Sequence, residues 1–145
     1  MNTKTNVNPS SDVLHIYTDG ASRENPGPSA LAFIFVQNGE VIQEHSEFLG
    51  TKTNNQAEYL AIIEALLEAK KITNGDLIIF SDSEVVIKQL IGDYKVKNDE
   101  LRKHRTKIFA EKKYFTKIEF THVTRQNKWI KMADKLCNRC LNLNT

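Results

Sequence analysis

A short segment that ends in a carboxylate, residues 14–19, constrains the fold of this chain more than any other. Its residues alternate as they do in a β-strand, so that Asp19 points away from the side shared by Leu14 and Ile16. Burying an unpaired charge costs on the order of several kcal/mol, so a core strand does not end in Asp without a reason. Gly20 then breaks the strand, and residues 23–28 are rich in turn formers. We therefore expect Asp19 to face a polar site or a metal ion; capping of the turn is the alternative.

The composition is that of one soluble globular domain. Of 145 residues, 40% are hydrophobic and 26% are charged, and no apolar run approaches the roughly 20 residues that cross a bilayer. Residues 1–12 are polar, lack the apolar segment of a secretory signal, and are predicted to form a disordered leader. The sequence thus predicts one domain over residues 13–145, cytoplasmic and monomeric, with no membrane partner.

Charge is distributed unevenly along the chain. Residues 1–87 carry 5 Lys and Arg against 12 Asp and Glu, whereas residues 88–145 carry 15 against 6. An acidic half and a basic half in one small domain suit a cation site beside a track for a polyanion. Exposed helices with a local charge bias would produce the same pattern.

The two cysteines, Cys137 and Cys140, have the spacing of a redox or zinc pair. No second pair is present to complete a four-cysteine zinc site. Because both residues fall on one side of a predicted helix, we interpret them as partly buried packing residues.

Strands and helices follow one another in a recognisable order. Asn38-Gly39 separates two strand-like runs and is a strong hairpin signal, so the first three strands should form an antiparallel meander. A strand, a helix and a strand then follow, which predicts a parallel crossover and hence a mixed α/β sheet. Thr53 or Asn54 can cap the first helix, and Ser83 the second. Beyond the first strand, the predicted strands are residues 30–36, 41–49, 76–82 and 116–123, and the predicted helices are residues 57–70, 84–90, 98–114 and 132–141.

Four acidic residues occur at the ends of these elements. Asp19 and Asp82 end strands, whereas Glu58 and Asp134 lie near helix starts, where the helix dipole alone would also favour Glu58. In a mixed sheet such ends converge on one crevice. Four carboxylates there repel one another unless a divalent cation lies among them, and Mg²⁺ prefers such oxygens. Two such ions would suit an in-line displacement at phosphorus.

These segments resemble the motifs of type 1 ribonuclease H. The resemblance extends over about residues 13–142, and the four motifs are specific in combination although each is weak alone. The matching segments are residues 17–22 with 25–28, residues 53–58, residues 81–83 and residues 132–136.

The resemblance implies a ribonuclease H-like α/β fold, with a five-stranded mixed sheet of order 3-2-1-4-5 flanked by helices. It implies an endonuclease that hydrolyses the RNA strand of RNA–DNA hybrids and leaves 5′-phosphate and 3′-hydroxyl ends. The implied cofactor is a pair of Mg²⁺ ions, with Mn²⁺ as a substitute. Asp19 would bridge both ions, Glu58 and Asp82 would hold one side, and Asp134 the other.

Five further residues are implied to bind the hybrid. The amides can donate and accept hydrogen bonds, which suits recognition of the RNA 2′-hydroxyl in the minor groove; helix capping is their alternative role. The implied substrate-binding residues are Asn25, Asn54, Asn55, Gln56 and Arg125.

Arg125 occupies the place where many family members carry a loop histidine, and in this the chain resembles the archaeal-like branch. Arginine does not deprotonate, so Arg125 would hold a phosphate or product instead of moving protons. His122 is close in sequence, but its alternation places it within the fifth strand. The spacing from Arg125 to Asp134 is longer than in the family pattern, and Trp129-Ile130 in the extra stretch is expected to anchor a loop.

Two other functions stay open at this point. One is a related superfamily nuclease that also cuts double-stranded RNA, and the other is a catalytically silent module that binds hybrids. The four acids argue against a silent module, because a binding protein gains nothing from repelling phosphates.

We expect the activity to depend strongly on salt. Two basic segments, residues 94–97 and 102–107, could follow a phosphate backbone, although they would also suit an exposed helix. Raising the salt concentration from low to physiological should therefore raise the KM for hybrid steeply in a steady-state assay. A flat response would exclude these residues from the binding surface.

Overall fold

The computed structural model describes residues 13–145, which form a five-stranded sheet with helices on both faces. The predicted leader, residues 1–12, lies outside the described residues. The strands are β1 Leu14–Ser22, β2 Gly27–Gln37, β3 Glu40–Lys52, β4 Asp76–Ser81 and β5 Lys117–His122. The helices are α1 Asn54–Ala69, α2 Glu84–Ile91, α3 Asp99–Glu111 and α4 Lys128–Asn144, with a 3₁₀ turn at Lys112–Tyr114.

The strand order is β3-β2-β1-β4-β5, which confirms the predicted sheet. The first three strands are antiparallel, and β1 pairs in parallel with β4, which pairs in parallel with β5. The predicted hairpin is present at Asn38 and Gly39, whose φ angles of 53° and 78° match the positive values that a tight type I′ turn requires.

The alternation of β1 distributes its side chains between two cores. Leu14 and Ile16 point toward α1 and belong to the core that α1, α2 and α3 share with the sheet. Tyr17 points to the opposite face and packs in the core formed with α4. Because both faces are covered, the central strands are buried on both sides, as expected of an α/β sheet.

Side-chain caps fix where the helices begin. Thr53 accepts a hydrogen bond from the Gln56 backbone, and the Gln56 side chain accepts one from the Thr53 backbone, which completes a capping box for α1. Ser83 and Asn98 cap α2 and α3. Gly92 ends α2 with a φ of 95°, which favours glycine. These starts lie within a few residues of those predicted.

Asp19 is not the end of the first strand, and Gly20 does not break it. The antiparallel ladder with β2 continues to Ser22, whereas the parallel ladder with β4 stops at Tyr17. Glycine is required at position 20 for another reason: a Cβ atom there would lie 2.3 Å from the carbonyl carbon of Ala57 and 2.4 Å from the nitrogen of Glu58. Gly20 therefore allows the first turn of α1 to touch the strand.

The last helix also begins earlier than predicted. The Asn127 side chain accepts hydrogen bonds from the backbone nitrogens of Trp129 and Ile130, which starts α4 at Lys128. Trp129 and Ile130 thus lie in the first turn of a helix and do not anchor a loop. Asp134 consequently lies in the second turn, not near the start.

The two cysteines and His122 lie where the sequence predicted. Cys137 and Cys140 are free thiols on α4, the first buried and the second half-buried. His122 is the exposed last residue of β5. Among residues 13–145 we find no helix with the length and apolar character needed to span a bilayer.

We predict that Gly20→Ala lowers the free energy of unfolding by at least about 2 kcal/mol, because the added methyl group must push α1 away from β1. Gly75→Ala is the matched control, since its Cβ would meet only the Thr73 side chain at 3.4 Å. Urea denaturation of both variants measures the difference. Equal midpoints for the two would show that β1 and α1 are not in close contact.

Candidate active site

A cavity of about 690 Å³ opens at the carboxyl ends of β1 and β4. In the order β3-β2-β1-β4-β5, the strands before β1 in the sheet and those after β4 are added in opposite directions, so the switch point of the sheet lies between β1 and β4. Ligands of α/β sheets bind at such switch points. All four predicted acids line the cavity: Asp19, Glu58, Asp82 and Asp134.

Three of the carboxylates form a tight group. One oxygen each from Asp19, Glu58 and Asp82 lies within 4.8 Å of the other two. Asp134 lies on the same cavity but outside this group, on the exposed side of α4. Its Oδ2 accepts a hydrogen bond from the Asn138 side chain one turn further along, at 3.3 Å.

Local structure positions each member of the group. Asp19 is buried on β1, and below it the Cys137 thiol donates to the Asp19 carbonyl oxygen at 3.6 Å. Glu58 is buried in the first turns of α1, where its Oε1 accepts from the backbone N–H of Gly20 at 2.9 Å. Asp82 follows directly after β4. Neighbouring elements therefore converge on one point.

Burial and mutual repulsion disfavour the charged forms of these acids. Burial, with the charges of Asp82 and Asp134, raises the pKa of Asp19 to about 8. Burial and the charges of Asp19 and Asp82 hold the pKa of Glu58 well above its usual range, against the opposing hydrogen bond from Gly20. Burial also raises the pKa of Asp82, and the nearby Arg125 guanidinium opposes that shift. A group of acids with such shifts is typical of a functional site.

One oxygen of the group has no hydrogen-bond partner. Within the described part of the chain, Asp19 Oδ2 is the buried side-chain polar atom that is left unsatisfied. Leaving a buried acceptor unpaired costs about 1–3 kcal/mol, and more when it is charged. A divalent cation would satisfy this oxygen and neutralise its neighbours. Hard carboxylate oxygens suit Mg²⁺ or Mn²⁺, so the donor set fits the predicted metal.

Of the five predicted substrate-binding residues, two line the cavity: Asn54 and Arg125. The Arg125 guanidinium is largely exposed and lies 3.9 Å from Asp82 Oδ2. Asn55 is exposed on the first turn of α1 beside the cavity residues. The structure therefore places Arg125 on the cavity wall beside Asp82.

The amide oxygens of Asn25, Asn54 and Gln56 have structural partners. Asn25 accepts from the Asn54 backbone at 3.0 Å, and Asn54 accepts from the Ser22 backbone at 2.9 Å. Gln56 completes the capping box of α1. These bonds use the amide oxygens, so the NH₂ groups are not part of them. Capping and substrate recognition can thus coexist in one side chain.

Five residues that line the cavity are not among the site residues that the sequence predicts: Gly20, Ala21, Gln126, Ile130 and Lys131. From the sequence, Gly20 is predicted to end the strand, and Lys131 precedes the predicted last helix. Asn127 precedes a run in which residues 130, 133 and 137 are apolar, which is a recognisable signal for a helix that begins at residue 128. This signal would have placed Lys131 on the helix.

Comparison with known proteins places these residues in context. The family described as "Reverse transcriptase-like" matches residues 17–140. Ribonuclease HI of Halobacterium salinarum is 38% identical over 129 residues, which is 88% of this chain and 64% of that protein. Mycobacterial relatives are 33% identical, and this chain spans 34% of their length.

Solved structures give the same result with fuller coverage. RNase H1 from the halophilic archaeon Halobacterium salinarum NRC-1 matches with a TM-score of 0.85 and 37% identity, over 90% of this chain and 98% of that one. LC11-RNase H1, solved in complex with an RNA/DNA hybrid, matches with a TM-score of 0.83 and 33% identity, over the same shares.

We predict that the metal-free protein becomes more stable when Asp19 loses its charge. The pKa of Asp19 in the folded state, about 8, lies above the ordinary aspartate value of 3.8. The folded state therefore binds more protons than the unfolded state between these values, and stability rises as the pH falls from 8 toward 4. In EDTA at pH 8, Asp19→Asn should raise the free energy of unfolding by about 1–2 kcal/mol.

Urea titrations at several pH values measure this effect, with the exposed Asp93→Asn as the control. The advantage of Asp19→Asn should shrink toward pH 4. Mg²⁺ should stabilise the unmodified protein and not Asp19→Asn. A destabilised Asp19→Asn in EDTA at pH 8 would contradict the assignment of unfavourable charge to this site.

Proposed function

Because this chain belongs to the ribonuclease H family, we propose that it hydrolyses the RNA strand of RNA–DNA hybrids with the help of divalent metal ions. The observation that carries the proposal is the group formed by Asp19, Glu58 and Asp82, whose oxygens lie within 4.8 Å of one another. A buried oxygen of Asp19 in that group has no partner among the described residues. A hybrid complex of a relative supports the choice of substrate.

The four cavity acids are the proposed metal ligands. Asp19 would hold the ions together with Glu58 and Asp82, whose oxygens approach it within 4.8 Å, and Asp134 would add a ligand from α4. When bound, two Mg²⁺ or Mn²⁺ ions would supply an activated attacking water and stabilise the leaving 3′ oxygen. Departure of that oxygen from phosphorus gives 3′-hydroxyl and 5′-phosphate products.

The chain orients these ligands before any ion arrives. The Gly20 N–H holds Glu58 Oε1, so the other carboxylate oxygen of Glu58 is free of that bond. The Asn138 amide holds one oxygen of Asp134. Burial of Asp19 keeps water away from a ligand whose charge would otherwise be screened. The site is thus preorganised for charge that develops at phosphorus.

The amides of the β1–β2 loop and of the start of α1 are the proposed readers of the RNA strand. Asn54 connects the cavity to Asn25, through a hydrogen bond of 3.0 Å from its backbone. The NH₂ groups of both residues can donate to a 2′-hydroxyl, the group that distinguishes RNA from DNA. All four acids belong to one chain, so the proposed site needs no residue of a second copy, and we propose a monomeric enzyme.

We predict that the protein cleaves a labelled RNA–DNA hybrid in Mg²⁺ or Mn²⁺ and leaves RNA–RNA and DNA–DNA duplexes intact. Asp19→Asn should lower cleavage by at least about 10³-fold, since stabilisation of the transition state by the metals is worth several kcal/mol. Gel analysis of the products, including their phosphatase sensitivity, identifies the 5′-phosphate end.

Asp93→Asn, an exposed acid outside the cavity, is the matched control and should cleave normally. Cleavage of RNA–RNA duplexes as well would favour the broader nuclease. Binding of hybrid without cleavage in either metal would contradict the proposal and favour a silent binding module.

A further inference from the structure

Lys131 is a cation on the wall of the acidic cavity. It lies in the first turn of α4, three residues before Asp134, and lines the same cavity as the four acids. Residues three apart on a helix share a face, so Lys131 and Asp134 face the cavity together.

The Lys131 ammonium has no salt-bridge partner in the described part of the chain. Other lysines, such as Lys70, Lys88 and Lys117, lie within 4.0 Å of a glutamate. Lys128, on the same helix, lies over the Trp129 ring instead. An exposed lysine beside acids that nevertheless stays unpaired is available to a ligand.

The position of Lys131 also opposes the helix dipole. Helices α2 and α3 carry acidic residues in their first turns, at Glu84 and at Asp99 and Glu100. The first turn of α4 carries none, and holds Lys128 and Lys131 instead. A positive charge there is unfavourable, since the start of a helix prefers anions. The helix dipole therefore does not explain a lysine at position 131. Residues that depart from such a local preference are expected at functional sites.

The charge balance of the cavity with metal ions and substrate bound indicates a function for Lys131. Two divalent ions would balance the four carboxylates, and the phosphodiester of a substrate then adds one negative charge. Arg125 lies within 3.9 Å of Asp82, so its charge is partly engaged by that acid. Among residues 13–145, Lys131 is then the cavity cation that has no salt-bridge partner.

We propose that Lys131 binds a non-bridging oxygen of a backbone phosphate of the RNA strand, beside the bond that is cut. This inference rests on the proposed function. It makes Lys131 a substrate-binding residue whose charge attracts the phosphate and repels metal ions. Removal of the charge should therefore weaken substrate binding and strengthen metal binding, a pair of opposite effects that a structural role would not produce.

The test compares Lys131→Gln and Lys131→Arg with Lys135→Gln, a matched control one turn further along α4 and outside the cavity. Lys131→Gln should lower kcat/KM for the hybrid about tenfold, and Lys131→Arg should stay within about threefold of the unmodified protein. In Lys131→Gln the slope of log(kcat/KM) against log salt should fall by about one, the value expected for one lost phosphate contact. Lys135→Gln should keep the original slope.

Calorimetric titration of the substrate-free proteins with Mg²⁺ gives a readout separate from activity. Lys131→Gln should bind Mg²⁺ about two- to fivefold more tightly, because a nearby positive charge has been removed. The inference is overturned if Lys131→Gln matches Lys135→Gln in both kcat/KM and salt slope. If the unmodified protein leaves the hybrid uncut, the proposed function fails, and the salt slope of hybrid binding, measured by fluorescence anisotropy, then decides the role of Lys131 alone.

Discussion

The contact between β1 and the start of α1 is the constraint on which the rest of the structure depends. Gly20 has no side chain, so the backbone of Ala57 and Glu58 lies directly against the strand. The same approach lets Gly20 donate to the Glu58 carboxylate and brings that acid beside Asp19. Four alanines spaced four residues apart on α1 are fully buried and continue the close packing along the helix: Ala57, Ala61, Ala65 and Ala69. One packing interface therefore sets both the core and the geometry of the acids.

Much of the fold could be predicted because its signals are local. The Asn38-Gly39 turn, the caps at Thr53, Ser83 and Asn98, and the alternation of β1 each act within a few residues. Position 20 was misjudged because the need for glycine comes from α1, more than 30 residues away. The four acids can be identified from their places in the chain, but which of them come within 4.8 Å of one another depends on how the helices pack against the sheet, which no local pattern encodes.

The charged acids of the cavity lower the stability of the folded chain. Burial raises the pKa of Asp19 and of Glu58, which means that the folded chain holds these charges at a disadvantage. Outside the cavity, polar groups have partners. Side chains cap the starts of α1 to α4, and the buried Glu111 pairs with Lys70 at 2.8 Å. The well-packed core can tolerate such a cluster, and a metal ion that bound only the folded state would offset the penalty.

The strand β1 extends past the end of its parallel pairing with β4, and side chains of α1 complete the exposed edge. Glu58 accepts from Gly20, and Asn54 accepts from Ser22, so a helix supplies the acceptors that a neighbouring strand would otherwise provide. Glu58 thereby stabilises the strand edge through one carboxylate oxygen, and its other oxygen is free of that bond. A family member without hydrolytic activity would still need an acceptor at this position, so we expect glutamine, which keeps that acceptor, to replace the glutamate there more readily than alanine.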